Sequence, residues 1–176
     1  MHKRTIALSF WVSLLAGSAF GQKVTVDWDK AVNFSDLKTW VWAKGTPAQN
    51  PLMDQRIVKA IEQQLAAKGL QKVEPGNNPD LMVTYAAATS SQTQLNTMNM
   101  GGYGPWRYGW GGTTTTTVEQ IPVGHLVVDI GDIKTKDLIW RGIASDTLSD
   151  NPQKNEKKIN NAVAKMFKKY PPPKGK

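Results

Sequence analysis

An Asn-Pro pair stands twice at the head of a segment whose apolar residues recur at helical spacing, and most of what lies between and before the two reads as strand. In "NPLMDQRIVKAIEQQLAAKG" the Asn50 side chain is placed to accept from the first free backbone N–H groups. Pro51 takes the position where a missing N–H costs nothing, and Gly69 allows the chain to leave the helix. Its apolar stripe is Ile57, Ile61 and Leu65. "NPQKNEKKINNAVAKMFKKY" repeats the device with Asn151 and Pro152, and carries the stripe Ile159, Val163, Met166 and Tyr170. A helix with one apolar stripe must bury it against another layer. Strands grouped together with a helix near each end predict an α+β fold, a largely antiparallel sheet with the two helices packed on one face.

The strand segments follow the two-residue period. "KVTVDWD" puts Val24, Val26 and Trp28 on one side and Thr25, Asp27 and Asp29 on the other. "FSDLKTWVWA" gives a turn and then a strand with Trp40 and Trp42 on the same side, and a short strand is expected over 70–73. "DLMVTYAAATSSQTQLN" and "TTTTTVEQI" read as the arms of a long hairpin. "GHLVVDIGDIKTKDLIWRGIASDTL" reads as a second hairpin turning near Lys134 to Lys136.

The chain opens on His2-Lys3-Arg4, an apolar run from Thr5 to Gly17, and small residues up to Gly21. That is the order of a secretory signal peptide, with cleavage expected after Gly21 or, alternatively, after Ala19. The apolar run is shorter than the roughly 20 residues a membrane-spanning helix needs, and no later segment approaches that length. The expected organisation is a signal peptide over 1–21, a single α+β domain over 22–170 and a Pro/Lys tail over 171–176.

The chain has no cysteine. Disulfides, thiolate metal sites and thiol catalysis are therefore excluded, and an exported chain of this kind points to a bacterial envelope. Beyond the leader, 20 basic residues stand against 14 acidic ones, and 8 of those lysines lie after Asn151 against Glu156 alone. The positive excess is confined to the last helix and tail. Lys157, Lys158, Lys165, Lys168 and Lys169 are thus a candidate anionic-surface patch, weighed against the plainer role of a solvated helix face.

The other candidate is "GGYGPWRYGWGG", residues 101–112, between the hairpin arms. Tyr103, Trp106, Arg107, Tyr108 and Trp110 cannot all bury themselves among glycines, so they are candidate ligand-binding residues. The plain alternative is a hairpin tip whose rings pack on their own strands. A wall polymer, an anionic lipid or a protein of the envelope are the partners these features would suit. An exported chain is not expected to meet nucleic acid.

Catalytic signals are thin. Asp27 and Asp29 share a strand face, but alternation puts that face in water. His125 and Asp129 also share a face, at a separation of about 13 Å, too far for a dyad. Ser145 and Ser149 flank Asp146 without a nucleophile turn or a histidine placed to serve them. With one histidine left after the leader and no cysteine, no metal or cofactor is expected. Trp140 and Arg141 in "LIWRG" read as a core ring and a surface or edge partner. The residues favour a soluble periplasmic binding or assembly module; the alternative is an envelope hydrolase using carboxylates such as Asp27, Asp29 or Asp129.

The order "VTVDWDKAVNFSDLKTWVW", "PLMDQRIVKAIEQQLAAKGL", "PDLMVTY", a Gly/Tyr/Trp segment, "GHLVVDI" and "KTKDLIWRGIAS", closing on a helix before prolines, resembles the domain-of-unknown-function 4136 family across nearly all of the chain beyond the leader. The resemblance implies a bacterial envelope domain, often on a lipoprotein, with no established activity and no catalytic residues to carry over. Leu15-Ala16-Gly17-Ser18 is similar to a lipoprotein cleavage box with serine in place of the acylated cysteine. A hydroxyl cannot take that thioether lipid.

Overall fold

The computed structural model describes residues 22–99 and 114–172. Strands β1 (Lys23–Trp28), β2 (Thr39–Trp42), β3 (Gln71–Lys72), β4 (Leu81–Asn99), β5 (Thr114–Asp132) and β6 (Leu138–Thr147) form one sheet in the order β1-β6-β5-β4-β2-β3. Helix α1 (Pro51–Ala67) lies between β2 and β3 in the chain, and α2 (Pro152–Phe167) follows β6. The pairs β1/β6, β6/β5 and β5/β4 are antiparallel, whereas β2 runs parallel to both β4 and β3. The parallel edge follows from α1, which crosses over between β2 and β4 and so returns the chain in the same direction. The expected α+β class and largely antiparallel sheet hold.

Both helices form where their local signals place them. Asn50 Oδ1 accepts from the N–H groups of Leu52 (2.9 Å) and Met53 (3.2 Å), and Asn151 Oδ1 from those of Gln153 (2.9 Å) and Lys154 (3.2 Å). Each such cap contributes about 1 kcal/mol. Gly69 ends α1 at φ +79°, a backbone state that costs a side-chain-bearing residue energy.

Both helices bury their stripes on the same sheet face. Ile57, Ile61 and Leu65 from α1 and Val163, Met166 and Phe167 from α2 meet Leu81, Val83, Val128, Ile130 and Trp140 in one core. Tyr170 lies beyond the end of α2, yet its ring is buried, 5.7 Å from those of both Phe34 and Trp140. On edge strand β1 the expected alternation is met, with Val24, Val26 and Trp28 half-buried and Thr25, Asp27 and Asp29 exposed.

The two expected hairpins share a strand. β5 runs unbroken from Thr114 to Asp132 despite Pro122 and Gly124, because Pro122 stands just past Val123, the last residue paired with β6, where the strand has become an edge. β4 and β5 pair continuously from Leu81↔Asp132 to Asn99↔Thr114. The aromatic segment 101–112 and the leader 1–21 lie outside the described residues.

Asp80 fastens the starts of β2 and β4. Its Oδ2 accepts from the N–H groups of Lys38 (2.9 Å) and Thr39 (3.0 Å) and from the Thr39 hydroxyl (2.9 Å). The two backbone N–H groups, Lys38 first, hold its carboxyl below the ordinary value, joined by the Thr39 hydroxyl and opposed by partial desolvation. A depressed folded-state value means stability that is present above about pH 4 and lost as the pH falls through the folded value. Asp80→Asn is expected to be less stable at neutral pH and to lose less on acidification below about pH 4 than the wild type. Urea midpoints measured across that range check this; parallel pH profiles would contradict it.

Candidate functional site

Toward the helix N-termini the sheet face changes from large side chains to small ones. The row Val83–Ile130–Trp140 across β4, β5 and β6 is fully buried, whereas the row two registers on is Ala87–Leu126–Ala144, and the next is Thr89–Gly124–Asp146. Alanine and glycine leave unfilled space over the strands. The result is a groove of about 540 Å³ with the two helices as walls, a size within the usual range for small-molecule sites. Met53 and Ile57 of α1 line one side, Ile159 and Ala162 of α2 the other, and Leu148 closes part of the end.

The segment between β2 and α1 completes the wall because Gly45 permits a close approach: a Cβ there would collide with the Tyr85 carbonyl oxygen. Thr46 then donates to Tyr85 O (2.9 Å) and accepts from Ala87 N–H (2.9 Å). Asp54 in the first turn of α1 holds the same wall, accepting from Ala48 N–H and from the Tyr85 hydroxyl at 2.8 Å each. Burial first, and then the Asp54 carboxylate, push the Tyr85 hydroxyl up to about 12. It therefore acts as a permanent donor at physiological pH.

One part of the groove wall is a hydrogen-bonded network. Lys158 Nζ donates to Thr147 O (2.6 Å), Thr147 Oγ1 (3.1 Å) and Asp146 Oδ1 (3.2 Å). Gln22 Nε2 donates to Lys158 O at 2.8 Å and lies 3.4 Å from Asp146 Oδ2. Among the described residues the buried Gln22 Oε1 has no hydrogen-bond partner. Buried Asn155 fastens the β6–α2 connection, accepting from Ser149 N–H (2.8 Å) and donating to Ser149 O (2.6 Å).

The carboxylates considered for catalysis are elsewhere. Asp27, Arg141 and Asp129 stand opposite one another on β1, β6 and β5, on the sheet face away from the helices. Asp129 accepts two 2.7 Å bonds from Arg141, so Arg141 is a surface partner and buried Trp140 a core ring, as their alternation indicates. Asp29 is exposed and accepts from Ala31 N–H. His125 is bonded through Nε2 to the Ser90 hydroxyl at 2.8 Å. Ser149 Oγ accepts from Asn151 N–H, and Asp146 is taken by Lys158. Among the described residues no three histidine or acidic side chains gather where they could hold a metal ion.

Of the lysine patch, Lys157, Lys165, Lys168 and Lys169 are exposed, while Lys158 is half-buried in the groove network. Tyr103, Trp106, Arg107, Tyr108 and Trp110 lie outside the described residues. Sequence reasoning did not find the groove. Its available signal was the run of small residues at core-facing strand positions, Ala87, Gly124 and Ala144.

The family model for a domain of unknown function (DUF4136) matches residues 24–172. The chain belongs to this family. Its fold is similar to that of a DUF4136 family protein from Bacteroides thetaiotaomicron, at 18% identity and TM-score 0.53, covering 85% of this chain and 96% of that one. It is similar to PelC from Paraburkholderia phytofirmans, solved as a dodecamer, at 15% identity and TM-score 0.52, covering 84% and 96%. It is also similar to a PDZ domain protein from Parabacteroides distasonis, at 20% identity and TM-score 0.54; the match covers 88% of this chain but only 36% of that protein. No protein of curated function matches the sequence. Among the described residues of this DUF4136 chain no helix is long and apolar enough to cross a membrane.

Proposed function

We propose that this DUF4136 chain is an exported, non-catalytic binding or assembly module of the bacterial cell envelope, and that the groove between α1, α2 and the sheet is where it takes a ligand. The observation carrying this reading is the groove itself: a concave site with an apolar floor at Ala87, Leu126 and Ala144 and polar residues such as Thr46, Asn50, Asp146 and Lys158 along its walls, a make-up that suits a binding site. Asp27, Asp29 and Asp129, the carboxylates considered for a hydrolase, do not line it, and Asp146, which does, is paired with Lys158. The test is titration with an apolar fluorescent probe, 1-N-phenylnaphthylamine, on the wild type and on Ala87→Phe, which fills the floor. Saturable binding weakened in Ala87→Phe is expected. No binding, or equal binding by both, would overturn the reading, with circular dichroism confirming that the variant is folded.

The proposed location rests on the leader and on Ser18 in place of a lipidated cysteine. The wild type should be found free in the periplasmic fraction, beginning at Gln22 or at Phe20. Ser18→Cys should move it to the membrane fraction by creating the missing acylation site. Mass spectrometry of the exported protein checks this, and an uncleaved leader on the mature protein would contradict it.

A further inference from the structure

Past Val123 the sheet narrows to two strands. Thr147, opposite Val123, is the last residue of β6 paired with β5. On the other side the last bonds to β4 come from Thr46, which meets Tyr85 O and Ala87 N–H. Residues 91–99 of β4 and 114–122 of β5 continue as a ribbon roughly 30 Å long, paired only with each other among the described residues. A two-stranded ribbon is at best marginally stable in water, so an arm of this length gains from a further strand.

The two edges of the ribbon are not alike. Val83 O, Tyr85 O and Ala87 N–H all bond outward from β4, so by alternation every second residue from Ser91 to Asn99 turns its N–H and C=O to that same side. Residues 90–99 hold no charged residue and no proline, the devices that normally close an edge. The β5 edge has both, Glu119 and Pro122, and Pro122 O already accepts from Leu148 N–H at 2.8 Å. In the middle of the open edge stands Leu95, 67% exposed, directly opposite Val118, 61% exposed. Opposite residues share a face, so the two form an exposed apolar pair.

We propose that this ribbon joins two copies of the chain, β4 against β4, antiparallel about a two-fold axis at Leu95. With Leu95 opposite the partner's Leu95, Ser91 falls opposite the partner's Asn99. The open edge is then used over its whole length, with about ten main-chain bonds between the copies. The same register sets Leu95, Val118 and their two counterparts side by side as one apolar row across four strands, which is what fixes a strand's alignment. Another neutral strand could bond to the edge, but a copy of β4 brings a leucine, with a valine behind it, to the point where the row needs them. The pairing occupies both β4 edges and leaves Glu119 and Pro122 on the outer ones, so it closes at two copies. It does not depend on the groove.

The experiment is sedimentation equilibrium of the full exported chain over a range of protein concentrations. Thr93→Pro and Gln120→Pro form a matched pair, because the two residues stand opposite each other and each proline removes one outward N–H, the first from the β4 edge and the second from the β5 edge. The wild type and Gln120→Pro should form dimers, and Thr93→Pro should dissociate at least about tenfold more readily, with circular dichroism confirming that both variants are folded. A second measurement uses the absence of cysteine from the chain. Oxidation of Leu95→Cys should link two chains, since residues directly opposite in this way have Cα atoms about 5.5 Å apart. Thr93→Cys, about 14 Å from its counterpart in this register, should not cross-link. A monomeric or open-ended wild type, equal dimerisation by the two proline variants, or cross-linking through Thr93→Cys in preference to Leu95→Cys would overturn the proposal.

Discussion

Trp140→Ala is expected to lower the stability of the domain by about 3–5 kcal/mol, the usual cost of removing a large ring from a packed core. Only 1% of Trp140 is exposed, and its ring lies 5.1 Å from that of Phe167 and 5.7 Å from that of Tyr170. Those neighbours come from α2 and from the turn after it, so a cavity at Trp140 loosens the final helix from β6. Against a total stability of about 5–15 kcal/mol for a domain of this kind, the loss is a large fraction. The measurement is the urea midpoint at constant slope. Trp140→Phe should cost much less than Trp140→Ala. It keeps a ring and also removes the indole N–H, which is buried without a partner among the described residues and is itself an unfavourable group to bury. A Trp140→Ala variant within about 1 kcal/mol of the wild type would mean the site collapses to fill the hole.

The same stretch shows how far local pattern reaches. In "LIWRG" simple alternation assigns Trp140 inward and Arg141 outward, and both assignments hold because strand period and burial act on neighbouring residues. The helices were legible for the same reason: Asn50 and Asn151 reach only two or three residues ahead. The parallel edge was not legible. It depends on where α1 delivers the chain after β2, a matter of tertiary packing and not of any residue in either strand.

The groove escaped notice for a different reason. It is made of missing side chains at Ala87, Gly124 and Ala144, residues that are 37 and 20 positions apart in the chain and become neighbours only once β4, β5 and β6 pair in register. The Gly45 approach that builds its wall is equally non-local. Lys158 looked like one more member of a solvent-facing lysine run, and nothing nearby in sequence announces that Asp146 and Thr147 of β6 will claim its ammonium. The cluster Tyr103 to Trp110 was the most conspicuous feature of composition, but it falls outside the described residues, and the site argued from the structure stands without it.

Gly142→Ala tests how rigid the packing around Trp140 is. Gly142 is buried in β6, between Val26 of β1 and Val128 of β5. A Cβ at this position would meet Trp140 Cη2 at 2.7 Å, Met166 Sδ at 3.0 Å and Met166 Cγ at 3.1 Å. The methionine can yield, since its side chain has several rotatable bonds. The indole cannot, because Phe167 and Tyr170 hold it. The single substitution is therefore expected to destabilise by about 1–3 kcal/mol through overpacking. Since Phe lacks the outer ring carbon that causes the closest clash, Gly142→Ala should cost less in a Trp140→Phe background, with a coupling of about 1 kcal/mol between the two sites. Urea denaturation of the four proteins in that cycle measures it. Strict additivity would show that the strain at residue 142 comes from the backbone or from Met166, and that the indole is not what requires glycine there.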